Sequence, residues 1–167
     1  TSVATFTYDV SYPTASVTVP APGAPSYTTA SLPAVLTGSA ADTAPGEVKN
    51  IIVALYNETQ DSYWNGTGFI PPPVTWSDDE PGIADPTGDT SWQWTTSGIN
   101  WAMPASDEKY VIYARAIDKA GNEQESVNIS SSVFYFQGDM PLSYITKPIE
   151  GRYYNSESNG LIAITGT

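Results

Sequence analysis

Apolar residues recur along this chain with a period of two. No stretch of ten or more residues carries the stripe of an amphipathic helix. The alternation predicts strands over 2–8, 16–19, 34–39, 48–57, 92–95, 109–118 and 126–136. The clearest is 109–118, which sets Tyr110, Ile112, Ala114 and Ala116 against Val111, Tyr113, Arg115 and Ile117. Arg115 is expected to pair with a carboxylate or to face solvent. The most apolar stretch is 48–57, as a central strand covered on both sides requires. Ser106 and Asp107 suit a helix cap, so 104–109 is expected to hold one helical turn. Asp118-Lys119-Ala120-Gly121-Asn122 separates two strong strands, and Gly121 and Asn122 tolerate positive φ, which predicts a hairpin turn. By contrast 78–89, with Pro81, Gly82, Pro86 and Gly88, reads as a long irregular loop. Strands between turn signals predict an all-β, antiparallel β-sandwich of about seven strands.

The two ends of the chain resemble each other. Phe6 matches Phe134, Pro13 matches Pro141, Thr18 and Pro20 match Thr146 and Pro148, and Gly23 matches Gly151. Thr37-Gly38 matches Thr165-Gly166. Every pair is offset by 128 positions without a gap, and eight of the 39 pairs are identical. A constant offset across separated blocks is the signature of a tandem repeat. It divides the chain into 1–12, the last strand of a preceding unit; 13–139, a complete sandwich; and 140–167, the start of the next unit. The division also accounts for the length. The 167 residues are too many for one sandwich of about 100 residues and too few for two.

Composition narrows the chemistry. The chain holds no Cys and no His. That excludes a thiolate nucleophile, a disulfide framework, a Ser-His-Asp triad and the common transition-metal sites. A net charge of -12 disfavours phosphate backbones, so nucleic acid is not an expected partner. No run of 18 apolar residues exists, so no membrane-inserting helix is expected. With 12% aromatic and only 14% charged residues, the chain is one that folds.

Three local patterns carry a resemblance. They are Tyr63-Trp64-Asn65-Gly66 with Phe69 and Trp76 after it; the run from Tyr110 to Asp118 followed by Lys119-Ala120-Gly121-Asn122; and Thr37-Gly38-Ser39-Ala40-Ala41-Asp42 with its partner Thr165-Gly166-Thr167. Together they resemble the Ig-like tandem repeats of large secreted bacterial surface proteins, of the adhesin and stalk type. The resemblance implies an Ig-like sandwich within a tandem array, secreted or at the cell surface. It also implies a modular role without catalysis. The partial units at the two ends are expected to meet neighbouring Ig-like units or, by β-strand addition, copies of the chain itself. This unit is longer than a minimal repeat of that kind. The surplus is an insertion over 61–91, on which the resemblance is silent.

Several residues are candidates for more specific chemistry. Asp78, Asp79, Asp85 and Asp89 share the Pro/Gly-rich loop with Glu80 and offer the oxygen ligands that calcium takes. Asp118 and Asn122 offer a second calcium position where two units meet, or else only stabilise a turn. Trp64 and Trp76, among five Trp within 38 residues, offer apolar faces on which sugar rings stack. That makes a carbohydrate-binding module the alternative function and cell-surface glycans a second class of partner. Asn57, Asn65 and Asn128 each open an N-glycosylation triplet. Glu58, Asp107 and Glu108 are carboxylates in the range a glycosidase uses, without a motif to place them. Lys49 and Lys109 are the lysines considered for an isopeptide crosslink.

Overall fold

The computed structural model describes residues 3–72, 83–84, 90–99, 101, 107–138, 143–155 and 163–166. Among these, twelve strands follow in chain order. They are β1 (Thr14–Val19), β2 (Ser26–Tyr27), β3 (Val35–Ala41), β4 (Val48–Asn57), β5 (Ser62–Trp64) and β6 (Phe69–Ile70). Then come β7 (Ile83–Ala84), β8 (Ser91–Thr95), β9 (Glu108–Asp118), β10 (Ser130–Phe136), β11 (Ile145–Lys147) and β12 (Thr165–Gly166). Among the described residues no helix is long and apolar enough to cross a membrane.

The fold is an all-β sandwich. One sheet runs β1-β3-β8, and the other runs β2-β10-β9-β4-β5-β6 with β7 also on β4. All pairings are antiparallel except that of β2 with β10. The long strands β4 and β9 fall where the alternation places them and pair from Val48↔Asp118 to Asn57↔Tyr110. Two expectations shift. Residues 126–128 form a 3-10 turn, so β10 begins at Ser130. Glu108 and Lys109 open β9 in place of a helical turn, and 102–106 lie outside the described residues.

The core follows from the two-residue period. From the small sheet come Ala15, Val17, Leu36, Ala40 and Trp92; from the large sheet come Val48, Ile51, Val53, Ile112, Ala114 and Ala116. Trp92 is fully buried, and its Nε1 donates to the Ser16 carbonyl at 3.2 Å, so the indole crosses beneath β3 to reach β1. Gly38 makes the crossing feasible. A Cβ there would lie 1.9 Å from the Ser16 carbonyl oxygen and 2.3 Å from the Trp92 ring. A second cluster joins Leu55, Trp64, Ile99, Tyr110, Phe134 and Phe136, with Tyr110 stacked on Phe134 at 5.3 Å.

Polar side chains stitch the sheets together along β1. The outward amide of Ala15 donates to Gln124 Oε1 at 2.8 Å, and that of Val17 to Ser130 Oγ at 3.2 Å. Gln124 Oε1 also accepts from the Ala116 amide, and Ser132 Oγ donates to the Pro20 carbonyl. A second buried knot surrounds Glu108. Its carboxylate accepts from Asn57 Nδ2 at 2.8 Å, from the Tyr110 hydroxyl at 2.5 Å and from Gln60 Nε2. Burial, with Glu108 beside it, pushes the Tyr110 hydroxyl well above the ordinary tyrosine range.

The two ends of the chain differ from the middle. Residues 3–13 belong to no strand, although 2–8 alternates as a strand should. Phe6 is 90% exposed and Tyr8 76%, while Phe134 and Phe136, 128 positions on, are both fully buried. A strand is completed by a partner, and among the described residues none pairs with 3–13. At the other end β11 and β12 form their own two-stranded ladder, joining Ile145↔Gly166 and Lys147↔Thr165 with a register shift between. The ladder of β1 and β3 joins Val17↔Gly38 and Val19↔Thr37 with a shift at the same place. The second set of partners is the first moved by 128.

Candidate metal centre

Three strands or lead-ins end in an aspartate at the same end of the sandwich. Asp118 closes β9, Asp42 follows β3 directly, and Asp9 lies on the segment leading into β1. Oxygens of the three carboxylates all lie within 4.8 Å of one another. Asp118 is fully buried, and Asp9 and Asp42 are half-buried.

Each carboxylate is aimed by hydrogen bonds from its own turn. Ser11 donates its amide to Asp9 Oδ1 at 2.9 Å and its hydroxyl at 2.5 Å. The Thr43 amide donates to Asp42 Oδ1 at 2.7 Å. Asn122 donates its amide to Asp118 Oδ1 and its Nδ2 to Asp118 Oδ2, both at 2.8 Å. Asn122 Nδ2 also reaches the Asp9 carbonyl at 3.3 Å, and Ser11 Oγ lies 3.2 Å from the Thr43 carbonyl oxygen. The lead-in segment is thus tied to both turns.

The remaining oxygens, Asp9 Oδ2 and Asp42 Oδ2, are buried and accept no hydrogen bond among the described residues. Both press on Gly46, where a Cβ would stand 2.3 Å from Asp42 Oδ2 and 2.5 Å from Asp9 Oδ2. Buried, unsatisfied carboxylate oxygens facing one another are unfavourable unless a cation joins them or a proton is shared between them. The hydrogen bonds from Ser11 hold the Asp9 carboxyl below its usual range, so it is ionised at neutral pH. Lys119, on the adjoining turn, ion-pairs with Glu47. The donor set is oxygen alone, which fits a hard cation such as calcium.

The expected site residues fall out differently. Asp78, Asp79, Asp85, Asp89 and Trp76 lie outside the described residues. Asp118 and Asn122 do meet, both as a turn-stabilising pair and as one side of the acidic cluster. Asp9 and Asp42 were not singled out. Their signal was an acidic residue just beyond a strand end, legible only once strand directions place those ends together. Trp64 is no open platform, because it is buried and packs edge-on against Phe69 at 5.4 Å. Asn57 is fully buried with its Nδ2 on Glu108, which leaves no room for a glycan on that nitrogen.

Of the remaining carboxylates, Asp107 is exposed, Glu58 ion-pairs with Lys109, and Glu108 is consumed by its buried knot. Lys49 is exposed, so neither lysine considered for an isopeptide bond is enclosed. Arg115 pairs with Glu123 and donates Nε to the Gln124 carbonyl at 3.2 Å. No protein-family model matches the chain, and no curated protein matches it.

Proposed function

We propose that this chain is a stretch of a tandem array of Ig-like units, one unit flanked by parts of its neighbours. The array serves as a spacer or building block in a secreted or cell-surface stalk, adhesin or filament. The observation that carries this reading is the repeated ladder. Strands β11 and β12 adopt the register and the bulge of β1 and β3 at the offset of 128 that the sequence carries. The exposed face of 3–12 supports it as well, since its apolar residues align with the buried Phe134 and Phe136 of β10. In an array that segment is the last strand of the unit before.

The work of such a unit is mechanical and needs no catalytic group, in keeping with a chain lacking His and Cys. The acidic cluster gives the joint its stiffness. Asp9 lies on the connection from the preceding unit, whereas Asp42 and Asp118 belong to the body of the next. Calcium bound among the three fixes the incoming chain to the head of the sandwich. The mass of the native polypeptide isolated from its source tests the array. A mass many times that of these 167 residues is expected, and a mass equal to them alone overturns it.

A further inference from the structure

The chain carries three described Asn-X-Thr/Ser triplets, at Asn57, Asn65 and Asn128, and their surroundings differ sharply. An N-glycan forms on the side-chain amide nitrogen, and the enzyme that attaches it reads the hydroxyl two residues on. Both groups must therefore be reachable in a chain that is already folded.

At Asn57 neither is. Its Nδ2 is buried against Glu108, and Thr59 Oγ1 accepts the Lys109 amide at 2.8 Å. At Asn128 the residue is exposed, but its Nδ2 donates to Glu125 Oε2 at 2.9 Å. The hydroxyl of that triplet, Ser130 Oγ, accepts the Val17 amide within the stitch between the sheets. Ser130 is also paired with Ala114 in the β10–β9 ladder.

Asn65 is the exception. It opens the turn between β5 and β6, and its Oδ1 accepts from the Thr67 amide and hydroxyl, both at 3.0 Å, and from the Gly68 amide at 2.9 Å. Three donors turn the carbonyl side of the amide into the loop. An amide is planar, so Nδ2 points the opposite way, and among the described residues it has no partner. The triplet's hydroxyl bonds only within the loop. The loop also stands in open space: a Cβ added at Gly66 or Gly68 would meet nothing within 4 Å.

We infer that Asn65 is an N-glycan acceptor in the folded unit, and the only one of the three described triplets to serve as such. The donor is an oligosaccharide carried on a polyprenyl pyrophosphate. Asn65 Nδ2 loses a proton and bonds to the anomeric carbon of the first sugar. The bond from that carbon to the phosphate oxygen breaks, and the pyrophosphate leaves with the electron pair. A glycan there would project from the edge of the large sheet, away from the joint at Asp9. The inference is independent of the cation and of the array.

The test uses the full chain, purified unmodified and folded. It is incubated with an oligosaccharyltransferase that accepts Asn-X-Thr/Ser and with the lipid-linked oligosaccharide, and the sites are mapped by mass spectrometry. One glycan is expected, at Asn65, with Asn57 and Asn128 modified only when the chain is first unfolded in urea. Asn65→Gln abolishes the addition to the folded chain, with far-ultraviolet circular dichroism checking that the sandwich survives the loss of the turn's hydrogen bonds, and Thr67→Ser retains it. An unmodified Asn65 in the folded chain overturns the inference, and so does modification of Asn128 to the same extent.

Discussion

The β1/β3 ladder and the β11/β12 ladder share a register and a bulge, yet their surroundings are opposite. In the first, Val17 and Leu36 are buried over Trp92, Ile51 and Ile112. In the second, the matching Ile145 and Ile164 are 69% and 75% exposed. The same short code therefore sets pairing in both places, while burial comes to the first ladder from β4, β8 and β9. Register is local information, and stability is not. Apolar area removed from water is the main favourable contribution to folding, and the second ladder removes little.

The sharpest test of that contrast compares residues 128 positions apart. Phe134→Ala removes a fully buried ring and is expected to destabilise the unit by about 3–5 kcal/mol. Phe6→Ala, at the matching exposed position, should stay within about 0.5 kcal/mol in this chain. Urea denaturation measures both, and equal losses would break the contrast.

Next come the paired glycines. Gly38→Ala forces a methyl group into the Ser16 carbonyl and the Trp92 ring, so a loss of about 3 kcal/mol is expected. Gly166→Ala also crowds the backbone, 2.9 Å from the Tyr144 carbonyl oxygen, but its ladder is exposed and outside the core, so the main melting transition should not move.

The third test concerns the lead-ins. The sandwich is entered through Asp9, but 128 positions on the residue is Gln137. Calcium should raise the melting temperature by several degrees, and EDTA should reverse it. Asp9→Gln, which copies the second lead-in onto the first, should abolish most of the rise. A melting temperature indifferent to EDTA would remove the cation from the joint.

The smallest effect is one of pH. The Tyr56 hydroxyl donates to Asp61 Oδ1 at 2.7 Å, and the carboxylate beside it pushes the tyrosine up to about 12. A group whose folded value is raised contributes stability fully below its unfolded value near 10. That contribution fades between pH 10 and about 12. Tyr56→Phe should flatten this part of the stability profile, as followed by far-ultraviolet circular dichroism.

The long strands were legible in the sequence because their own alternation specifies them. Strand β4 spans 48–57 as expected, and β9 begins one residue early. Strands β2, β5, β6 and β7 are two or three residues long and were not. So short a strand has no period of its own and is defined by the neighbour it pairs with. The reverse holds for 3–8, which has the period and, among the described residues, no pairing neighbour. The candidate site was half legible. Asp118 and Asn122 stand four apart and announce a turn. Asp9, Asp42 and Asp118 are brought together only by the tertiary fold, which sets the end of β9, the residue after β3 and the lead-in to β1 side by side.

The bonds from Ala15 to Gln124 and from Val17 to Ser130 have a meaning beyond holding two sheets together. Units joined in one chain meet their own copies at concentrations on the order of millimolar. Any free strand edge is then an invitation to pair with the same edge next door. Along β1 the outward amides are already engaged by side chains of the same unit. At these two positions β1 has no amide left to offer to the strand of another copy.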